Sequence, residues 1–169
     1  MTGASARMQG KGWTMTKPLR REDRRLDDTA AMALLKRGEY GILSTSDKSN
    51  RPYGIPVNYV VMEDNIFFHC ATEGQKLENI TANNGVSFCV VGKTELLPER
   101  FSTRYESVVV SGNADVIEDK VSKKTALRAL VAKYAPDDIA AGDAYIDRLM
   151  DQTAVVRVSI DHLAGKARK

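Results

Sequence analysis

From Tyr40 onward the chain reads as short apolar runs separated by polar turn clusters, the texture of strands. Residues 40–45 (YGILST) form the first run, and DKSNR at 47–51 is the turn after it. In PYGIPVNYVVM the alternation of Ile55, Val57, Tyr59 and Val61 predicts a half-buried second strand. Pro52 and Pro56 cannot donate to a ladder, so that strand is expected at an edge or with a bulge at Pro56, leaving nearby backbone groups free. IFFHCA, VSFCVVG, SVVVSGNADVIED and TAVVRVSIDHL are four further strands, with Gly112 as the expected bulge in the long fifth one. KTELLPERFSTRYE, between the fourth and fifth, reads as a loop.

Helical periodicity interrupts this texture in three places. Ala31, Leu34 and Leu35 make a short stripe after Asp28, the expected cap, and Gly38 ends it. TEGQKLENITANNG reads as a helix with Thr72 and Gln75 as a capping box, Leu77 and Ile80 as the buried stripe, and Asn83-Asn84-Gly85 as the stop. Residues 119–134 and 142–150 are also helical, with Asp137-Asp138 in the break. Strands that follow one another without regular crossover helices predict a mainly antiparallel six-stranded β-barrel decorated by helices, and argue against a parallel doubly wound sheet. Residues 1–19 lack periodicity and read as a tail, with Met15 an alternative start and Trp13 without a role; 20–169 form one domain.

Composition narrows the function classes. The net charge of +3 is small and much of the basic excess lies in the two ends, so a nucleic-acid partner is not expected. No apolar run reaches the roughly 20 residues a membrane helix needs, and the expected location is cytoplasmic. Cys70 and Cys89 lack CxxC spacing and read as reduced thiols, and no carboxylate–histidine trio or nucleophile–base pair marks a metal or a covalent catalyst.

One stretch carries candidate chemistry: FFHCATEGQKLENI, residues 67–80. His69, one of two histidines in the chain, stands at the end of a strand that runs into a helix start. The first turn of a helix offers unpaired N–H groups and a partial positive charge to an anion. Gly74 permits close approach, Lys76 adds charge, and His69 adds a hydrogen bond that titrates near neutrality. The residues alone leave two readings open: a phosphate cradle, or a packed strand histidine beside an ordinary surface lysine.

The blocks GILSTSDKSNRPYGIPVNYV, IFFHCATEGQKLENI, NNGVSFCVVG, LLPERFSTRYESVVVSGNADVIED and HLAGKAR, in this order, resemble the pyridoxamine 5′-phosphate oxidase-like split barrels that bind flavin mononucleotide (FMN), and among them the 5-nitroimidazole resistance (Nim) family. The resemblance implies a six-stranded antiparallel split β-barrel, a homodimer with flavin sites at the subunit interface, and a flavin-dependent oxidoreductase that reduces a small nitroaromatic. It puts the flavin phosphate on His69 and Lys76, with Gly74 beside them and Ser44 and Thr45 near the ribityl-phosphate end. It runs the backbone of Pro56, Val57 and Asn58 along the isoalloxazine edge. Phe101, Arg104, Tyr105 and Ser107 would reach the partner's site. Tyr53 and Tyr59 are stacking or packing residues, the terminal GKAR is a basic tail near the site, and His162 is structural. Three alternatives accompany this reading: a non-catalytic flavin carrier, a haem protein or sensor with His69 as axial ligand, and a pyridoxamine-phosphate-oxidase-type enzyme.

Overall fold

The computed structural model describes residues 19–168, so the expected tail, with Trp13 and Met15, lies outside the described residues but for Leu19. In chain order the elements are β1 (Arg25–Leu26), α1 (Asp28–Arg37), β2 (Tyr40–Ser46), β3 (Pro52–Asn58), β4 (Val60–Met62) and β5 (Asn65–Ala71). There follow α2 (Gln75–Ala82), β6 (Gly85–Leu97), β7 (Ser102–Val116), α3 (Lys120–Tyr134), α4 (Ile139–Leu149), β8 (Thr153–Ser159) and β9 (His162–Arg168).

The strands pair antiparallel in the order β3-β2-β6-β7-β8-β5-β4, with β9 on β7 and β1 on β9. Strand β7 joins the two halves. Its stretch Tyr105–Ser111 pairs with β9, and its end, Ala114–Val116, turns away to pair with β8. The sheet does not close between β3 and β4, which makes it the split barrel expected from the sequence. The finer count is nine strands, because the second run divides at Tyr59, the C-terminal run continues as β9, and β1 adds two residues.

The division at Tyr59 has a physical cause. The side chain is fully buried and donates its hydroxyl to the Leu35 carbonyl at the end of α1. The backbone there is satisfied by α3 rather than by a neighbouring strand. Tyr59 N donates to Tyr134 Oη at 2.8 Å, and Lys133 Nζ donates to the Tyr59 and Gly38 carbonyls at 2.8 and 2.6 Å. The same ammonium lies 4.0 Å from the Tyr59 ring centroid, a cation–π contact. Burial pushes the Lys133 pKa down and the Tyr59 pKa up.

Two cores result. The main one fills the barrel with Leu43, Phe68, Phe88, Val108, Val110 and Val156, and α1 and α2 plug its openings with Leu34, Leu35, Leu77 and Ile80. The second lies outside the barrel, where Phe67 and Val155 of β5 and β8 pack under the α3–α4 hairpin on Leu127, Leu130 and Ile146.

Several local expectations are corrected. Asp27, not Asp28, caps α1, accepting from Ala30 N at 2.7 Å. The Thr72–Gln75 capping box is not formed, because α2 starts at Gln75 and Gly74 is its cap. Pro56 sits on an edge strand, as expected, but pairs in unbroken register with Ile42, so no bulge forms there. Gly112 is likewise in register opposite Val86; glycine is needed because a Cβ would fall 1.8 Å from the Ser159 carbonyl oxygen. The irregularity of β6–β7 lies instead between Val91 and Thr94. Beyond it, the expected loop continues as a two-stranded arm whose tip is a turn at Pro98–Arg100. The expected last strand breaks after Ser159, and His162 opens a separate strand, β9.

Candidate functional site

Strand β5 displays two chemistries because successive side chains point to opposite faces. Ile66, Phe68 and Cys70 pack toward the main core, while Phe67 and His69 face the α3–α4 side. His69, paired with Val155 of β8, stands on the rim of a cleft of about 610 Å³ between β5 and the hairpin. Asn58, at the end of β3, stands on the same rim, its Nδ2 donating to the Glu39 carbonyl at 3.1 Å. Two residues predicted from distant stretches therefore meet. Burial lowers the His69 pKa from its ordinary value, which favours the neutral imidazole.

Helix α2 begins just after β5. Gly74 adopts φ 120°, a left-handed conformation that favours glycine, and no side chain caps the first turn. By contrast, α1 and α3 are capped by Asp27 and Asp119. Lys76, half-buried in that first turn, brings its charge near Cys70, where it partly offsets the upward push of burial on the thiol.

Gly74 lines a different depression from His69, a groove of about 760 Å³ along α2 and the β2–β3 turn. Asp47 organises that groove. Its carboxylate accepts from the Ser49 and Arg51 amides at 2.8 and 2.9 Å and from Arg51 Nε at 2.9 Å. These bonds hold its pKa below the usual carboxylate value. With Glu73 and Glu78 also present, the groove is not a basic bowl for an anion.

The remaining predicted residues divide between the two faces of the sheet. Thr45 turns into the barrel, where its hydroxyl donates to the Tyr53 carbonyl at 3.3 Å and accepts from Asn79 Nδ2 at 2.9 Å. It anchors α2 to β2, and its hydroxyl is turned away from the surface that Ser44 presents. Val57 also points inward. Ser44 and Pro56 are exposed on the opposite face, and Asn58 follows Pro56 on it, so this face runs into the cleft rim. Tyr105 and Ser107 lie opposite Arg168 and Lys166 of β9, so the expected basic tail is a strand beside them. Arg104 is on the arm, paired with Glu95 at 3.1 Å, and Phe101 at the tip is 99% exposed. Cys70 and Cys89 are free thiols on strands that do not pair.

The outer face carries a row in register across five strands: Pro56, Ile42, Cys89, Val109 and Ala164. None of the five belongs to either core, and no helix residue in the cores lies over them among the described residues. The sequence reading missed the α3–α4 wall of the cleft, formed by Tyr134, Tyr145, Leu149 and Met150. Its signal was the apolar face of α4, where Tyr145, Ile146 and Leu149, with Met150 just beyond the helix end, follow helical spacing. Among the described residues no cluster of three or more metal-ligating side chains occurs, and no helix is long and apolar enough to cross a membrane.

Comparison with solved structures shows where this fold recurs. A candidate 5-nitroimidazole antibiotic resistance protein from Bacteroides thetaiotaomicron matches with a TM-score of 0.70 at 23% identity, covering 85% of this chain and 86% of that one. An FAD and heme binding protein from Mycobacterium smegmatis matches at 0.76 and 18% identity, over 86% and 74% of the two chains. An FAD binding protein from the same organism matches at 0.61 and 25% identity, over 86% and 98%. A sequence search of curated proteins found no match. A family model, by contrast, aligns with residues 27–167, from the cap of α1 almost to the end of β9, and on that match the chain belongs to the pyridoxamine 5′-phosphate oxidase family.

Proposed function

We propose that this protein is an FMN-dependent oxidoreductase that works as a homodimer and passes electrons to a small planar acceptor of the nitroaromatic class. The observation that carries the reading is that His69 and Asn58 line one cleft, and that β5, which carries His69, leads into a helix start that Gly74 leaves without a capping side chain. Orphan amides, the Lys76 charge and an imidazole hydrogen bond are three complementary partners for a phosphate. The exposed edge of β3 at Pro56–Asn58 leads from that point onto the outer face, giving a flat ring system a course past Ser44. The bound flavin supplies the redox chemistry, and this chain orients it.

The apolar row on the outer face supports the homodimer, because an apolar sheet face outside both cores suits an interaction surface. The named nitroimidazole resistance and FAD-binding relatives support a flavin and the proposed acceptor class. A pyridoxamine-phosphate substrate is disfavoured by the cleft lining, which offers no second set of cations for its phosphate.

The test is titration of flavin-free protein with FMN, FAD and haem in parallel. FMN is expected to bind tightest. Lys76→Ala and His69→Ala are each expected to weaken it by roughly 10- to 150-fold, the equivalent of about 1.5–3 kcal/mol for a charge-assisted bond. Unchanged FMN affinity in both variants, or tighter binding of haem with a Soret band, would overturn the assignment.

A further inference from the structure

The interior of the cleft differs in character from its rim. Its deep wall is Leu127, Leu130 and Ile146, all buried, continued by Val131, Leu149 and Met150. Among the described residues, no Asp, Glu, Lys or Arg lines any part of it. The titratable groups that do line it are His69, Cys70, Tyr134 and Tyr145. Burial lowers the pKa of His69 and raises that of Cys70, so both are held uncharged at neutral pH.

Most of the hairpin's charges are turned elsewhere; Lys133, 5.2 Å from the ring centroid of Tyr134, is held by the Gly38 and Tyr59 carbonyls. Lys124 pairs with Asp147, Arg128 with Asp143 at 2.7 Å, and Lys120 with Asp151 at 3.5 Å, so these six charges are matched in pairs outside the cleft lining. Arg148, the nearest cation on α4, lies 5.3 Å from the Tyr145 ring centroid, outside the lining. At about 610 Å³ the cleft falls in the range of pockets that hold drug-sized ligands, roughly 300–1,000 Å³.

We infer that the α3–α4 cleft is a second ligand site, adjoining the anionic cofactor site at His69, that selects an uncharged lipophilic molecule of drug size and rejects charged ones. Selection follows from desolvation. An anion or cation entering this lining loses its water and meets no opposite charge among the described lining residues, whereas an apolar ring system exchanges water for Leu, Ile and Met side chains. A ring nitrogen of His69 offers a hydrogen bond to a single polar atom of such a ligand, while the Tyr134 hydroxyl is engaged with the Tyr59 amide and the Glu39 and Tyr59 carbonyls. The identification of this molecule as the electron acceptor rests on the flavin reading above; the site and its charge selectivity do not. Under that reading a dinucleotide donor would not bury its pyrophosphate here, and the acceptor would be bulkier and more lipophilic than a single nitroimidazole ring.

A matched pair of fluorescent probes tests this: N-phenyl-1-naphthylamine, which is neutral, and 1-anilinonaphthalene-8-sulfonate, the same skeleton with a sulfonate. The wild-type protein is expected to bind the neutral probe at least about tenfold more tightly. Leu149→Lys, which places a cation in the half-buried wall, is expected to reverse that order; Tyr145→Glu, at an exposed position, is expected to weaken the sulfonate further. The neutral probe is expected to stay bound at saturating FMN. Equal affinity for both probes, or indifference of the neutral probe to Leu149→Lys in a variant with an unchanged circular dichroism spectrum, overturns the site. Competitive displacement by FMN overturns its separateness while leaving the flavin assignment standing. Failure of FMN to bind, with probe selectivity intact, sinks the flavin reading alone.

Discussion

Two strand-to-helix junctions in this molecule do opposite things with the same backbone problem. After β7 the chain enters α3 through Asp119, whose carboxylate accepts from Ser122 N at 2.8 Å and whose pKa is lowered by the bond. After β5 it enters α2 through Gly74 at φ 120°, with no capping side chain. Every helix start has orphan N–H groups that need partners. At α3 the protein satisfies them itself. At α2 they remain open next to Lys76, and the strand that leads into them carries His69 two residues before its end. The comparison shows that a missing cap gains meaning from its surroundings; α4 also lacks a side-chain cap, yet no strand histidine precedes it.

The sharpest way to break this comparison is to make the α2 junction resemble the α3 junction. Gly74→Asp introduces a carboxylate where the phosphate is proposed to sit. FMN affinity is expected to fall by more than about 100-fold, since a like charge in place of an attractive partner costs several kcal/mol. Asp also suffers strain at positive φ, of order 1–3 kcal/mol. Gly74→Ala shares that strain without the charge, so the difference in FMN titration between the two variants isolates the electrostatic part. Equal affinities would mean that no anion occupies the junction.

The second effect in size concerns protons. In the free protein the His69 pKa is lowered by burial, so the neutral imidazole is favoured and protonation costs folding stability as pH falls through the ordinary histidine range, about 6.5. A bound phosphate dianion reverses the preference and raises that pKa. FMN binding should therefore take up protons, and affinity should rise as pH falls from about 8 until the phosphate itself begins to protonate near about 6. Isothermal titration in buffers of different ionisation enthalpy reads the uptake directly. His69→Ala should remove it. Identical proton uptake in the variant would show that the imidazole does not touch the phosphate.

Much of this was legible in the sequence because strands and their turns write themselves in local alternation. The runs around Leu43, Phe68, Phe88, Val110 and Val156 all became core, and Pro56 fell on the edge strand as its missing N–H requires. Non-local geometry was not legible. Thr45 and Ser44 are neighbours in sequence and of similar chemistry, yet strand alternation sends one to Asn79 in the interior and the other to solvent. Gly112 looked like a bulge because its true reason, the approach of Ser159, lies 47 positions away. The cleft was invisible for the same reason: it exists only where α3 and α4 fold back over β5, held there partly by Lys133 and Tyr134 on the Tyr59 bend.

The control side of the comparison predicts a smaller change. Asp119→Ala removes a satisfied cap and should lower stability modestly. Urea unfolding should show the midpoint shift with an unchanged slope, and FMN affinity should not move, because α3 starts at the far side of the hairpin from the rim. A loss of flavin binding beyond about twofold would tie the two junctions together and erase the contrast.

The smallest expected effect probes whether the β6–β7 arm is held by its own charges or by something it meets. Arg104 and Glu95 face each other across the arm at 3.1 Å, both substantially exposed. An exposed pair of this kind contributes about 0–1 kcal/mol. Glu95→Ala should thus leave the melting temperature of the isolated chain almost unchanged. Phe101, fully exposed and at φ 47°, has no apolar neighbour to lose and sits in a conformation unfavourable for an aromatic residue. Phe101→Gly should relieve that backbone and cost the monomer nothing. If the arm reaches a second copy, however, the same substitution should weaken dimerisation in a sedimentation dilution series, while Glu95→Ala leaves it near wild type. Identical dimer dissociation constants for wild type and Phe101→Gly would mean that the arm stands free in the assembly, and that the apolar row from Pro56 to Ala164 holds any dimer without it.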